Sequence, residues 1–528
     1  MSSYRPPTFA LLAALLLGQP GSGLANPPTA AAPPAIPWQV DLANVEAGRR
    51  VAATHCATCH LESAPGLLDR RTWFEQILPR MKVRVGLYPP EMASSDEISF
   101  MLKHAVIAPQ PIMTEEEFTA VVDYYLARAP EAAWPAPPAP GIELGLKSFR
   151  LEPVRRRTAT PSTTLVKILP GDGGRLLMGD DFTRTLAILD GQLAFREALA
   201  LGNTPVAAKW SGGSLLLANI GSFQPAQTEL AAITRWTRTG GAWQPQVLVT
   251  NLPRTTDVQE ADLNGDGRPD LVVSVFGNLI GRLAWYEATE GGLREHRLLD
   301  KPGCLRTDIR DWNGDGRPDI MALFAQESEG LYLFLNDGDG EFTMREILRR
   351  HPLFGHSWFD VADLDADGRP DLLVTNGDNG EYASPLKNYH GVRAYLNRGG
   401  LKFEEAWFHP LNGAYRALAR DFDLDGDLDV AAISFFPDYV SRPRESFVYF
   451  ENHGGLKFSP WTFPECIAGR WLVMDAGDLD GDGDEDLALG SYIKGPSPVP
   501  GGLMETWQQR GPSAVVLRNT TREPQLGR

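Results

Sequence analysis

The chain has 528 residues, with 50 Lys and Arg against 67 Asp and Glu, a formal net charge of −17. That balance argues against nucleic acid or an anionic membrane surface as partner, because both need a basic footprint. Hydrophobic residues at 43%, 52 Gly and 42 Pro point to two or more well-cored, turn-rich β domains, and four cysteines are too few for a disulfide scaffold.

Residues 1–25 read as a signal peptide: Arg5 gives the positive start, Phe9 to Leu17 the apolar stretch, and Gly23-Leu24-Ala25 a small-residue cleavage site. Nine apolar residues fall short of the about 20 needed to cross a bilayer. No later segment is long and apolar enough either. The expectation is a periplasmic or secreted protein with no transmembrane segment after signal removal. Proline-rich spacers at 26–40 and 131–144 bracket a small domain of residues 41–130. From 145 to 528 the texture changes to short β-rich runs between Gly and Asp turns.

In the small domain, Cys56-Ala57-Thr58-Cys59-His60 has the C-x-x-C-H spacing of c-type haem attachment. Two thiols at this spacing can add to the two vinyl groups of one haem, with the adjacent imidazole as axial ligand. A redox dithiol would instead open a helix in a βαβ unit, whereas the flanking segments here are patterned as helices. A helix carrying Gly48 leads into the motif, and a last helix, Thr114 to Ala127, opens on a Thr114-x-x-Glu117 capping box and carries Tyr124 and Tyr125. These features resemble a class I cytochrome c domain over residues 41–130. The resemblance implies an all-α fold in which first and last helices cross, one covalent haem c, and electron transfer. Met81, Met92, Met101, Met113, His55 and His104 are all available as second axial ligand. The run from Trp73 to Met81 is similar to a segment of small cytochrome subunits serving periplasmic dehydrogenases, which implies Met81. Met113, before the last helix, is the alternative.

In the large domain an acidic nonapeptide recurs five times, at 262–270, 311–319, 363–371, 421–429 and 478–486, at spacings of 49, 52, 58 and 57. Such a period is that of propeller blades. Oxygens at positions 1, 3, 5 and 9, a backbone carbonyl at 7 and Gly at 6 are the donor set of a Ca²⁺ loop. The sets are Asp262, Asn264, Asp266, Arg268 and Asp270; Asp311, Asn313, Asp315, Arg317 and Asp319; Asp363, Asp365, Asp367, Arg369 and Asp371; Asp421, Asp423, Asp425, Asp427 and Asp429; and Asp478, Asp480, Asp482, Asp484 and Asp486. The Arg residues offer only their carbonyls. An EF-hand is excluded because position 12 is apolar each time: Val273, Ala322, Val374, Ala432 and Leu489. Up to five Ca²⁺ are expected.

These loops resemble the FG-GAP and VCBS-type repeats of integrin-like β-propellers over about residues 145–520. In the third unit the strands are expected at Asp257 to Ala261, Leu271 to Val275, Arg282 to Tyr286 and Leu293 to Leu299. Two degenerate units, with turns at Gly171-Asp172-Gly173-Gly174 and Ser211-Gly212-Gly213, bring the total to seven blades. The last unit lacks its outer strand, and Ser148 to Val154 is expected to supply it, closing the ring. Strand alternation puts the metal loops on one face. On the other it puts the insertions 376–391, 436–445 and 494–511, with Arg254, Arg306, His356, Trp358, Tyr415, Arg470 and Trp471 around the channel mouth. That cluster suits an anionic or glycan ligand, or docking of the small domain. Cys304 and Cys466 are expected to be free, buried thiols.

The expected fold is therefore multidomain, a small all-α domain followed by an all-β seven-bladed propeller. The expected function is electron transfer, with the propeller recognising a redox partner protein or small-molecule donor. The alternative is a cytochrome-linked oxidoreductase that oxidises a small substrate at the channel face. No catalytic residues are assigned.

Overall fold

A computed structural model of the protein describes residues 36–169, 171, 174–380, 386–495 and 499–522. Residues 1–25, where a signal peptide is expected, most of the first proline-rich spacer, Asp172, Gly173 and parts of two insertions lie outside the described residues. The chain divides into two units, Met1–Gln39 and Val40–Arg528. Described residues 36–39 of the first contain no helix or strand. The second unit holds both a helical region and the propeller.

Helix Val45–His55 runs into a tight turn, Cys56–Thr58, that carries the first cysteine. Helix Glu115–Arg128 begins on the expected capping box, with Thr114 Oγ1 accepting from Glu117 N at 3.1 Å and Glu117 Oε2 from Thr114 N at 2.8 Å. The two helices cross at Gly48, where an added Cβ would stand 1.9 Å from the Ala120 carbonyl oxygen. Between them, the helical stretch Arg70–Arg84 widens into a π-turn at Trp73–Ile77. Pro79 is the cause: it has no N–H, and its ring crowds the carbonyl one turn back, so Leu78 N bonds to Trp73 O instead. Trp73 is left 1% exposed, its indole N–H donating to Pro65 O at 2.8 Å.

Seven antiparallel sheets follow. Blade 1 comprises Thr163–Leu169, Arg175–Asp180, Thr185–Asp190 and Phe195–Ala200; blades 2 to 6 span 205–252, 255–299, 304–349, 356–410 and 414–462. Blade 3 has strands Thr255–Ala261, Asp270–Val275, Arg282–Thr289 and Gly292–Leu299, within a few residues of expectation. Blade 7 consists of Trp471–Gly477, Asp486–Ser491 and Ala514–Asn519, completed by Phe149–Pro153 as its outer strand. The ring thus closes through the segment that strand counting nominates. One strand was not anticipated: Glu143–Leu144, from the second spacer, pairs in parallel with Phe458–Thr462 and gives blade 6 a fifth strand. A layer of buried aliphatic and aromatic side chains lies between each pair of neighbouring blades. That between blades 7 and 1 includes Val166, Ile168, Val473, Ala488 and Val516. Cys304 and Cys466 are buried and unbonded. Among the described residues no helix is long and apolar enough to cross a membrane.

Candidate functional site

The helical region sits on loops of blades 3 to 5, opposite the face that carries the acidic loops. Leu279 packs against the cluster of Ile98, Met101 and Ile107. Arg84 pairs with Glu327 at 3.8 Å, and Tyr389 Oη donates to Leu67 O at 3.3 Å. Between the two regions is a cavity of about 260 Å³. Its helical wall contains His55, Cys56, Cys59, His60, Met81 and Tyr125 among the apolar side chains of Ile77, Leu78, Val85, Phe118 and Val121. Its propeller wall contains Asn278, Gln326, Glu327, His351, Asp378 and Lys387.

The imidazole of His60 is oriented by its own chain, because Nδ1 donates to the Leu61 carbonyl at 2.7 Å. Burial pushes the Cys56 thiol up to about 11, with Glu62 and Cys59 adding to the effect. Of the candidate second ligands, Met81 and His55 border the cavity. Met92, Met101, Met113 and His104 do not. The propeller side was invisible to motif reading. His351 Nδ1 accepts from Leu353 N at 3.1 Å, so its proton sits on Nε2, which donates to Ser63 Oγ. The His60 and His351 rings stand edge to face, 4.8 Å apart at 88°. Tyr125 Oη in turn donates to Ser63 O at 2.9 Å. Burial and the neighbouring His60 push His351 down to about 3, so it stays neutral.

The channel-mouth residues do not gather into one ligand site. Arg254 donates to the carbonyls of Ser222, Phe223 and Gly277; Arg470 donates to Phe435 O; and Trp471 is fully buried. His356, opening blade 5, meets Glu329 of blade 4 at 2.5 Å, while Arg306 and Arg416 both stand over the Trp358 ring at 3.8 and 3.7 Å from its centroid. These groups hold blades together.

The five acidic loops each join first to second strands and share one hydrogen-bonding scheme. The position 9 aspartates, Asp270, Asp319, Asp371, Asp429 and Asp486, are fully buried and accept from two backbone N–H groups. One donor belongs to loop position 2 and the other to the third strand or the turn after it, at 2.7 to 3.3 Å. Position 6 is Gly each time, with φ between 82° and 98°, where any side chain would be strained. The loops then diverge. In blades 3 and 4 the Asn264 and Asn313 amides donate to Asp266 and Asp315 at 3.3 and 2.9 Å, and Arg268 and Arg317 pair with the same carboxylates. In blades 5, 6 and 7 the carboxylates of Asp363, Asp365 and Asp367, of Asp421, Asp423 and Asp425, and of Asp478, Asp480 and Asp482 each converge within 4.8 Å. Asp365 Oδ1, Asp421 Oδ1 and Asp480 Oδ1 are buried there without a hydrogen-bond partner. Burial first, then neighbouring carboxylates, raises Asp429 to about 7 and Asp484 and Asp486 to about 6, although Arg518 opposes the rise at Asp486.

No match is found among curated protein sequences. Similar solved structures include BBS1N in complex with ARL6DN, at 12% identity and TM-score 0.45, covering 73% of this chain and 99% of that one. Another is the N-terminal domain of Nup159, at 9% and 0.42, covering 72% and 97%. Residues 311–374 match the FG-GAP-like repeat family. The chain is a seven-bladed β-propeller bearing FG-GAP-like repeats, with short helices on its N-terminal side, an architecture suited to docking and recognition.

Proposed function

We propose that the protein is an exported electron carrier with one covalent haem c in the cavity, for which the Ca²⁺-stabilised propeller is the docking platform. The observation that carries this reading is the opening of Cys56, Cys59, His60 and Met81 onto one cavity, beside the apolar side chains of Ile77, Leu78, Val85, Phe118 and Val121. Cys56 and Cys59 would hold the group through thioether links, and His60 Nε2 and Met81 Sδ would ligate the iron. The bound haem supplies one-electron chemistry. The chain's own part is to orient His60 through the Leu61 carbonyl and to exclude water with the aromatic and aliphatic wall. A redox dithiol fits less well, because Cys56 follows the C-terminus of its helix and its thiol is raised, whereas reactive dithiols are lowered.

Ca²⁺ is supported by the buried, unpartnered oxygens of Asp365, Asp421 and Asp480, which a hard cation would satisfy. We infer tighter sites in blades 5 to 7, where three carboxylates converge, than in blades 3 and 4, where an Asn amide stands at position 3 and donates to the position 5 carboxylate.

The test is a pyridine haemochrome spectrum of full-length protein exported from a host competent in haem c maturation. The doubly thioether-linked signature is expected, with its loss in Cys56→Ala/Cys59→Ala. Protein exported without covalent haem overturns the reading. A second reading, oxidation of a small substrate at the propeller wall, is favoured by Asp378 and Lys387 bordering the same cavity. Haem reduction by any of a panel of sugars, alcohols and amines would establish it.

A further inference from the structure

His351, carried by the propeller, meets both the His60 ring of the C-x-x-C-H motif and Ser63 just after it. The Ser63 to His351 contact spans 288 residues of sequence and is buried. His351 is held from behind by the Leu353 N–H, which fixes its tautomer, and from the front by Ser63 Oγ, which stands three residues after His60 and is itself 5% exposed. Its ring presents an edge-to-face contact to His60 at 4.8 Å. Tyr125, on the last helix, completes the support by donating to the Ser63 carbonyl, and its ring lies 4.5 Å from that of Trp73. A doubly anchored imidazole in this place does two things: it limits rotation of His60, and it occupies space that water would otherwise take.

We propose that His351 is a positioning residue for His60, so that the propeller sets the redox potential of the haem it encloses. The proposal rests on the haem reading above. Water beside the axial ligand stabilises the more highly charged ferric site, so a wall that excludes it favours the ferrous form. Removing His351 therefore lowers the potential.

The experiment uses the full chain with covalent haem: wild type, His351→Ala, His351→Gln and Ser63→Ala, each titrated for its midpoint potential and measured for the iron–histidine vibration by resonance Raman. At a fixed ambient potential His351→Ala is expected to raise the oxidised-to-reduced ratio about tenfold, which is 59 mV for a one-electron couple, and to shift the iron–histidine band. His351→Gln keeps an N–H for Ser63 and should recover more than half of both changes. Ser63→Ala should move them in the same direction by less. Haem-loaded His351→Ala with the ratio and band of wild type overturns the role of His351 while leaving the haem reading intact. Should His351→Ala not accumulate, wild-type values in Ser63→Ala overturn it equally. Wild-type protein without covalent haem overturns both.

Discussion

The helical region and the propeller solve the problem of a core in opposite ways. Each blade of the propeller shares a filled layer of fully buried side chains with its neighbour, so the ring is complete from its own residues. The helical region wraps much of its apolar surface around a cavity of about 260 Å³ and leaves one side of it to the propeller. Packing density in protein interiors is close to that of organic crystals. A space of this size sets the helical region apart from the filled layers between blades. The propeller is set apart in turn by the charge gathered in its loops.

Withdrawing calcium should separate the two most sharply. A site filled by ligand at 100 times its dissociation constant adds about 2.7 kcal/mol, so a chelator should lower the propeller's unfolding free energy by that amount for each occupied loop and its melting temperature accordingly. The transition followed by helical signals should move far less; equal shifts would break the contrast. Next in size is Asp429→Ala, which strips acceptors from Phe422 N, Asn452 N and the Tyr449 hydroxyl, 2.7 Å away. Orphaned buried donors cost about 1–3 kcal/mol each, and a loss of about 4 kcal/mol is expected in urea unfolding, with Asp429→Asn recovering part of it.

Acid should act on the propeller too. His409, packed against Trp407 and Phe450, is pushed down to about 4 by burial, with Arg442 adding to the effect. As pH falls from about 6.5 to about 4 the unfolded chain takes up a proton that the folded protein refuses, so stability falls across that window. The difference between wild type and His409→Phe cancels the loop carboxylates and isolates this step. The variant should gain about 3 kcal/mol relative to wild type between pH 7.5 and 4, and parallel pH profiles would contradict the assignment. The smallest effect belongs to the helical region. Gly48→Ala drives a methyl into the Ala120 carbonyl and should cost about 2 kcal/mol, read as lost amide protection confined to residues 45–128.

Periodicity made the ring legible. Five acidic loops at near-constant spacing set blades 3 to 7, and the missing outer strand of the last unit pointed back to the segment observed at Phe149–Pro153. Local spacing singled out Cys56, Cys59 and His60, and the structure places all three on one cavity. What the sequence withheld depends on partners distant along the chain. Glu143–Leu144 looks like the end of a proline-rich spacer until the edge of blade 6 offers it a partner. The π-turn at Trp73–Ile77 follows from one proline but reads as ordinary helix. Arg254 and Arg470 suggested a ligand face, yet their guanidinium groups are taken by backbone carbonyls that composition does not reveal. His351 carried no motif at all.

The pairing of Phe149–Pro153 with Ala514–Asn519 has a consequence for the order of assembly. The outer strand of blade 7 is made early, and its partner is almost the last described segment of the chain. During synthesis the early strand has nowhere to dock, so the ring stands open until Ala514–Asn519 emerges. Closing a loop of this length is entropically slow. The helical region and blades 1 to 6 therefore have time to fold first, and the seam at blade 7 is where maturation ends.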